Sequence, residues 1–67
     1  MNSERIGNRI KERRKELHMP QEVLSEKSKV SRATISLIEN GKCKTVLVST
    51  LTAIASALDT NVEFFLT

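Results

Sequence analysis

The fold is decided by one stretch of the chain, Val30-Ser31-Arg32-Ala33-Thr34-Ile35-Ser36-Leu37-Ile38-Glu39-Asn40-Gly41-Lys42. Ser31 is a favoured N-cap residue and Asn40-Gly41 a favoured helix stop, so we predict a helix between these two signals. On a helical wheel Ile38 and Ser31 lie about 60° and 40° from Ile35, and these three residues mark the buried side. The opposite side, with Arg32 at its flank, carries four residues: Ala33, Ser36, Leu37 and Asn40.

The helix that begins after Ser31 is predicted to end at about Glu39. A shorter helix is predicted immediately before it. The shorter helix covers about residues 21–28, and Pro20 can open it because a first-turn residue needs no backbone N–H. A tight connection at Ser28-Lys29-Val30 joins the two helices. A short helix, a tight connection and a capped helix with a polar outer face are the geometry of a helix-turn-helix, whose second helix lies in the DNA major groove.

The first predicted helix begins at Ser3 and ends before Pro20. Three residues fall on one narrow apolar stripe: Ile6, Ile10 and Leu17. The stripe is interrupted by charge at Arg13 and Arg14, which requires an explanation. Most residues of the basic run from Arg9 to Lys15, Arg13 among them, are interpreted as the solvated face of this helix.

Two more helices complete an all-α prediction of five helices. The fourth has apolar residues at spacings of three and four, namely Val48, Leu51, Ile54, Ala55 and Leu58. Asn61 can cap a short fifth helix whose packing residues are Val62, Phe65 and Leu66. The alternation of Val62 and Phe64 also permits a terminal strand, so residues 61–67 are left open between helix and strand.

Length and charge indicate a small domain with two different surfaces. A chain of 67 residues suffices for one domain, which we assign to residues 1–67, and so small a core favours association with a second subunit. The net charge is +3, but residues 1–44 hold all 11 basic residues and a net +5, whereas residues 45–67 carry −2. This asymmetry indicates one face for a polyanion and another role for the C-terminal third.

The same composition excludes several classes of protein. The single cysteine, Cys43, forms no internal disulfide, so a reducing, cytoplasmic location is expected. With the single histidine, His18, it cannot supply the ligands of a zinc site. Gly7 and Gly41 form no phosphate-binding loop, and no apolar run is long enough for a membrane span. We therefore expect no enzyme activity, no cofactor, no metal and no membrane contact.

The sequence resembles the Cro/repressor-type helix-turn-helix family, also described as XRE-like or lambda-repressor-like. The resemblance rests on Val-Ser-Arg-x-Thr-Ile-Ser-x-Ile-Glu-Asn-Gly-Lys, present from Val30 to Lys42, and it extends outward from Ile6 to Leu58. It implies a compact five-helix DNA-binding domain whose second and third helices form the helix-turn-helix. It also implies that Arg14 reaches inward to Glu39, which would explain the charge on the apolar stripe.

The chain departs from the family pattern around the turn between these two helices. Lys29 stands where the family usually has glycine, and a left-handed conformation there would cost about 1 kcal/mol. Ser25 takes the place of the usual alanine, and Ser28 that of an apolar residue.

The resemblance implies contacts to double-stranded DNA from the third helix and from the segments beside it. We expect the third helix, with Ser31 at its start, to read bases through Arg32, Ala33, Thr34, Ser36 and Leu37. Arg32 is open between a guanine contact and a phosphate contact, and Leu37 between a DNA contact and a single exposed apolar side chain. Phosphates are expected to be held by Gln21, Asn40, Lys42 and Lys44.

These expectations describe a sequence-specific transcription regulator, most often a repressor, that binds a palindromic operator as a homodimer. The dimer contact is expected in the apolar, acidic C-terminal third, with Val46, Leu47 and Phe64–Leu66 as candidates. Val46 and Leu47 are left open between the subunit interface and the core. The alternative is an antitoxin or other protein-interaction module whose main partner is a toxin or another protein.

Overall fold

The computed structural model describes residues 3–66, which form five α-helices and no strand. The helices are α1 (Ser3–Glu16), α2 (Gln21–Ser28), α3 (Arg32–Glu39), α4 (Val48–Ala57) and α5 (Val62–Leu66). The five-helix, all-α prediction is confirmed. Residues 62–66 are helical, and the Phe64 N–H donates to Asn61 Oδ1 at 3.1 Å as the predicted cap requires. Thr67 lies outside the described residues.

The core lies where the five helices meet. α1 packs against α3 and α5, α2 packs against α3 and α4, and α4 also contacts α5. The largest fully buried side chains are Ile10, Leu24, Ile35, Ile38, Leu51, Ile54, Leu58 and Phe65. Each of the five helices contributes at least one apolar residue to this cluster, so no helix is an appendage that could be lost without exposing the core.

Three residues that the spacing predicts to pack lie at the surface. Leu66 is 47% exposed because it is the last residue of α5. Leu17 is 38% exposed because α1 ends at Glu16 and the chain turns, so the helical wheel no longer describes its direction. Val48 is 66% exposed because it is the first residue of α4, outside the part of the helix that packs on the core. Val46, from the loop before α4, is buried in the core cluster instead.

The turn between α2 and α3 adopts the left-handed conformation expected at Lys29, which has φ of 64°. The two serines at unusual positions stabilise this turn. Ser25 Oγ donates to the Val30 carbonyl at 2.7 Å, and the Val30 N–H donates to Ser28 Oγ at 3.2 Å. Hydrogen bonds of this kind each contribute about 1 kcal/mol, enough to offset the cost of a left-handed lysine.

Two glycines allow α1 to lie directly on the C-terminal end of α3. A Cβ atom on Gly7 would collide with the carbonyl oxygen of Ile38 and would lie 2.9 Å from that of Glu39. Gly41, just after α3, has φ of 70°, and a Cβ there would lie 2.7 Å from Glu4 Cγ. This close approach fixes the position of α1 relative to the end of α3.

Arginine side chains of α1 also hold the two C-terminal helices. Arg13 donates from Nε to the Leu58 carbonyl at 3.1 Å and from Nη2 to the Asp59 carbonyl at 3.4 Å. Arg9 donates to the Phe64 carbonyl at 3.2 Å, and its guanidinium carbon lies 5.7 Å from the centre of the Phe64 ring. Cations at the end of α4 interact favourably with carbonyl groups that the helix leaves unpaired. The interpretation of the basic run as a solvated face is therefore wrong for these two arginines.

Candidate nucleic-acid interface

α3 begins with a complete side-chain cap. Ser31 Oγ accepts a hydrogen bond from the Thr34 N–H at 3.2 Å and donates to Thr34 Oγ1 at 2.8 Å. Ser31 has extended backbone angles, as an N-cap residue should. The cap sets the first residue of α3 and thereby decides which side chains fall on its outer face.

The outer face of α3 is open along its whole length. Its exposed residues are Arg32, Ala33, Leu37 and Asn40. Ser36, on the same face, is half-buried. Leu37 is 49% exposed, while Ile35 and Ile38 on the opposite side are buried in the core. The helical-wheel assignment is therefore confirmed for Ile35, Ile38 and the outer face. It is wrong for Ser31, which is exposed because it is the N-cap residue and has extended backbone angles.

The inner side of the α3 end is fixed by Glu39, whose side chain is only 1% exposed. Arg14 of α1 donates to both of its oxygens, from Nε at 2.8 Å and from Nη2 at 2.9 Å. Arg14 Nη1 donates to the Met19 carbonyl at 2.9 Å. The hydrogen bond with Glu39 raises the pKa of Arg14 although burial opposes it, so this guanidinium stays charged at neutral pH. The inward reach that the family resemblance implies is confirmed.

Gln21, the first residue of α2, is part of the same network. Its Nε2 donates to Glu39 Oε1 at 3.1 Å, so one carboxylate joins α1, α2 and α3. A side chain that is already held in place loses less conformational entropy when it binds a ligand. Sequence reasoning selected Gln21 as a phosphate contact but did not foresee this bond, because it joins residues on two different helices.

The loop after α3 presents two cations. The Lys42 N–H donates to the Leu37 carbonyl at 2.9 Å, which closes the end of α3 together with the left-handed Gly41. Lys42 and Lys44 are both exposed. Positive charge therefore follows directly on the C-terminal end of the exposed helical face.

An ion pair between α2 and α3 was missed by sequence reasoning. Arg32 Nη1 lies 3.5 Å from Glu22 Oε1, and the two side chains are 64% and 72% exposed. Exposed ion pairs contribute only about 0–1 kcal/mol to stability. The signal that could have found it is the pairing of an acid in the first turn of one motif helix with an arginine in the first turn of the next.

Comparison with known proteins agrees with this geometry. The helix-turn-helix family HTH_3 matches residues 10–65, which is most of the chain. The chain belongs to this family. It is accordingly a DNA-binding transcription regulator of the helix-turn-helix type and not an enzyme.

Two solved structures are similar to this chain. The restriction-modification controller protein C.AhdI from Aeromonas hydrophila is 25% identical, with a TM-score of 0.88 over 94% of each chain. An HTH_3 family transcriptional regulator from Vibrio cholerae is 29% identical, with a TM-score of 0.89. That match covers 97% of this chain but 36% of the Vibrio protein. Among curated protein sequences no significant match was found.

The surface outside the helix-turn-helix differs in character. Among the described residues, five large apolar side chains are exposed there: Leu17, Leu47, Val48, Phe64 and Leu66. Val46 and Leu47, left open between the core and a subunit interface, differ in burial: Val46 lies in the core and Leu47 is 61% exposed. Within residues 3–66, no cluster of metal-binding side chains occurs and no helix could span a membrane.

Proposed function

We propose that the chain binds double-stranded DNA sequence-specifically by placing α3 in the major groove. The observation that carries this proposal is the open outer face of α3, opposite an inner face held by apolar packing and by the buried Glu39. A helix fixed in this way can enter a groove about 12 Å wide with its side chains already aimed at the bases.

The candidate contact residues divide by chemistry into base contacts and phosphate contacts. The base contacts are Arg32, Ala33, Thr34, Ser36 and Leu37, with Ser31 at the start of the helix. Ala33 and Leu37 suit thymine methyl groups, whereas Ser36 can donate or accept and so specifies weakly. The phosphate contacts are Gln21, Asn40, Lys42 and Lys44, which fix the position of α3 but carry no sequence information.

The active species is a homodimer that joins through the C-terminal third. Leu47 and Leu66 are exposed apolar side chains in a region that carries few charges, and burying them leaves the basic face free. Two copies related by a two-fold axis would read an inverted repeat with half-site centres about 34 Å apart. Occupation of such a site within a promoter blocks transcription, which makes repression the expected outcome.

Selection of bound sequences from random duplex DNA tests this function. The expected result is an inverted repeat in which each half contains a guanine and nearby thymines. A matched selection with Leu37→Glu should lose this enrichment, because the acid faces the DNA without altering the core. Failure of the wild-type chain to enrich any sequence would contradict the proposal.

The second candidate is a protein-interaction role, as in an antitoxin that masks a toxin. It is favoured by the two adjacent exposed residues Leu47 and Val48, which are 61% and 66% exposed in a chain with a small core. Under this alternative, Leu47→Glu abolishes binding to the partner protein while the wild-type chain selects no DNA sequence.

A further inference from the structure

The ion pair between Glu22 and Arg32 contributes little to stability, but its position bears on the proposed function. Arg32 is the first residue of α3, and Glu22 lies in the first turn of α2. Both side chains are largely exposed, and the contact joins Arg32 Nη1 to Glu22 Oε1 at 3.5 Å. The pair therefore lies on the surface that the proposed function turns toward DNA.

The closest contact of the pair lies at one end of the guanidinium, and the Arg32 side chain is 64% exposed. Nη1 of Arg32 makes the shortest distance to Glu22. Nε and Nη2 form the other edge, and an arginine can grip guanine O6 and N7 with two parallel hydrogen bonds from such an edge. A long, exposed side chain that is held at one end of its guanidinium also loses less entropy on forming these bonds.

The charge of Glu22 favours a base over a phosphate as the partner of Arg32. A phosphate oxygen that approached the guanidinium would also approach the Glu22 carboxylate, and the two anions repel each other. The O6 and N7 atoms of guanine are neutral acceptors and meet no such repulsion. An acid next to an arginine on a DNA-facing surface thus weakens non-specific attraction and favours readout of guanine.

We propose that Glu22 is a positioning residue that commits Arg32 to reading a guanine rather than holding a phosphate. This inference rests on the proposed function, since it requires that α3 enters the major groove. Recognition of this guanine then depends on two helices, because α2 supplies the acid and α3 supplies the hydrogen-bond donor.

The test compares binding of the full chain to the selected operator and to variants with each base pair changed. Wild-type protein should prefer guanine at one position of each half-site by about 5- to 150-fold. Glu22→Gln should bind random duplex as tightly as wild type or more tightly, but its preference at that one position should fall several-fold. Replacement of that guanine by 7-deazaguanine, which lacks the N7 acceptor, should remove the difference between the two proteins.

Three further variants separate a positioning role of Glu22 from a general effect of removing negative charge. Glu26→Gln removes an exposed acid from the same helix and should leave the base preference unchanged. Arg32→Ala should lose the preference, and adding Glu22→Gln to it should change nothing further. Circular dichroism should show that each variant is folded.

The possible outcomes are distinct. If Glu22→Gln keeps the wild-type preference, or if Arg32→Ala weakens every sequence equally, the positioning role is overturned while sequence-specific binding stands. If wild-type protein selects no sequence at all, the proposed function fails and the positioning role fails with it.

Discussion

The helix-turn-helix region and the C-terminal region are stabilised by different chemistry. Around α3, a buried carboxylate accepts hydrogen bonds from α1 and α2, so charged groups hold three helices together. In α4 and α5 the buried groups are apolar, with Leu51, Ile54, Leu58 and Phe65 among them. The comparison shows that the α3 region adds a buried carboxylate network to its apolar packing. The C-terminal helices combine apolar burial with backbone contacts from Arg9 and Arg13, and they leave apolar side chains at their surface.

The largest expected effect is the salt dependence of DNA binding. It tests whether the basic surface beside α3 contacts phosphates. A dimer with roughly 6–10 phosphate contacts should lose about 10³–10⁵-fold in affinity between 50 and 200 mM salt. Lys42→Ala and Lys44→Ala should each lower the slope of log affinity against log salt by about 1.8 per dimer. Lys27→Ala, an exposed lysine outside the proposed contacts, is the charge-matched control. An unchanged affinity across this range would rule out a phosphate-gripping surface.

Loss of the buried carboxylate tests the claim that charge holds α3 in place. Glu39→Ala leaves Arg14 without its partner and should lower the free energy of unfolding by about 3–5 kcal/mol. Chemical denaturation measures this loss, and Glu22→Ala, which breaks the exposed ion pair, should cost at most about 1 kcal/mol. A similar small loss for both variants would place the two pairs in equivalent environments, contrary to the structure.

A charge placed in the C-terminal region tests whether its exposed apolar surface joins two copies. Leu47→Glu should weaken the dimer at least about tenfold, because a buried leucine contributes about 1.5–3 kcal/mol. Sedimentation equilibrium measures the dimer, and operator affinity should fall with it. Ser56→Glu places the same charge elsewhere on α4 and should have little effect. A Leu47→Glu protein that dimerises normally would remove this residue from the interface.

The smallest of these effects concerns the contact between α1 and the end of α3. Gly7→Ala should lower the free energy of unfolding by about 1–3 kcal/mol, because its Cβ meets backbone atoms that can move only with the helix. Asn8→Ala, at the next and exposed position, is the control. If thermal unfolding shows Gly7→Ala to be as stable as wild type, the two helices do not pack as closely as described.

Most of the fold was predictable because its signals are local. Ser31 and Asn61 cap the helices that follow them, and the inner and outer faces of α3 follow from residue spacing alone. The errors lie at helix ends, where spacing loses its meaning: Leu17 follows the last residue of α1, and Val48 is the first residue of α4. The candidate DNA-contact residues were selected by the same local pattern together with the family resemblance.

Local sequence was therefore enough to predict the first four helices, the helix-turn-helix between α2 and α3, and the outward residues of α3, whereas it left residues 61–67 open between helix and strand. Each depends on residues within a turn or two of one another. The packing of the helices, by contrast, brings Arg13 to a carbonyl 45 residues away, lets Gln21 share Glu39 with Arg14, and places Arg32 3.5 Å from Glu22. These contacts join different segments, and their partners depend on how the helices pack, which no spacing within a single helix encodes.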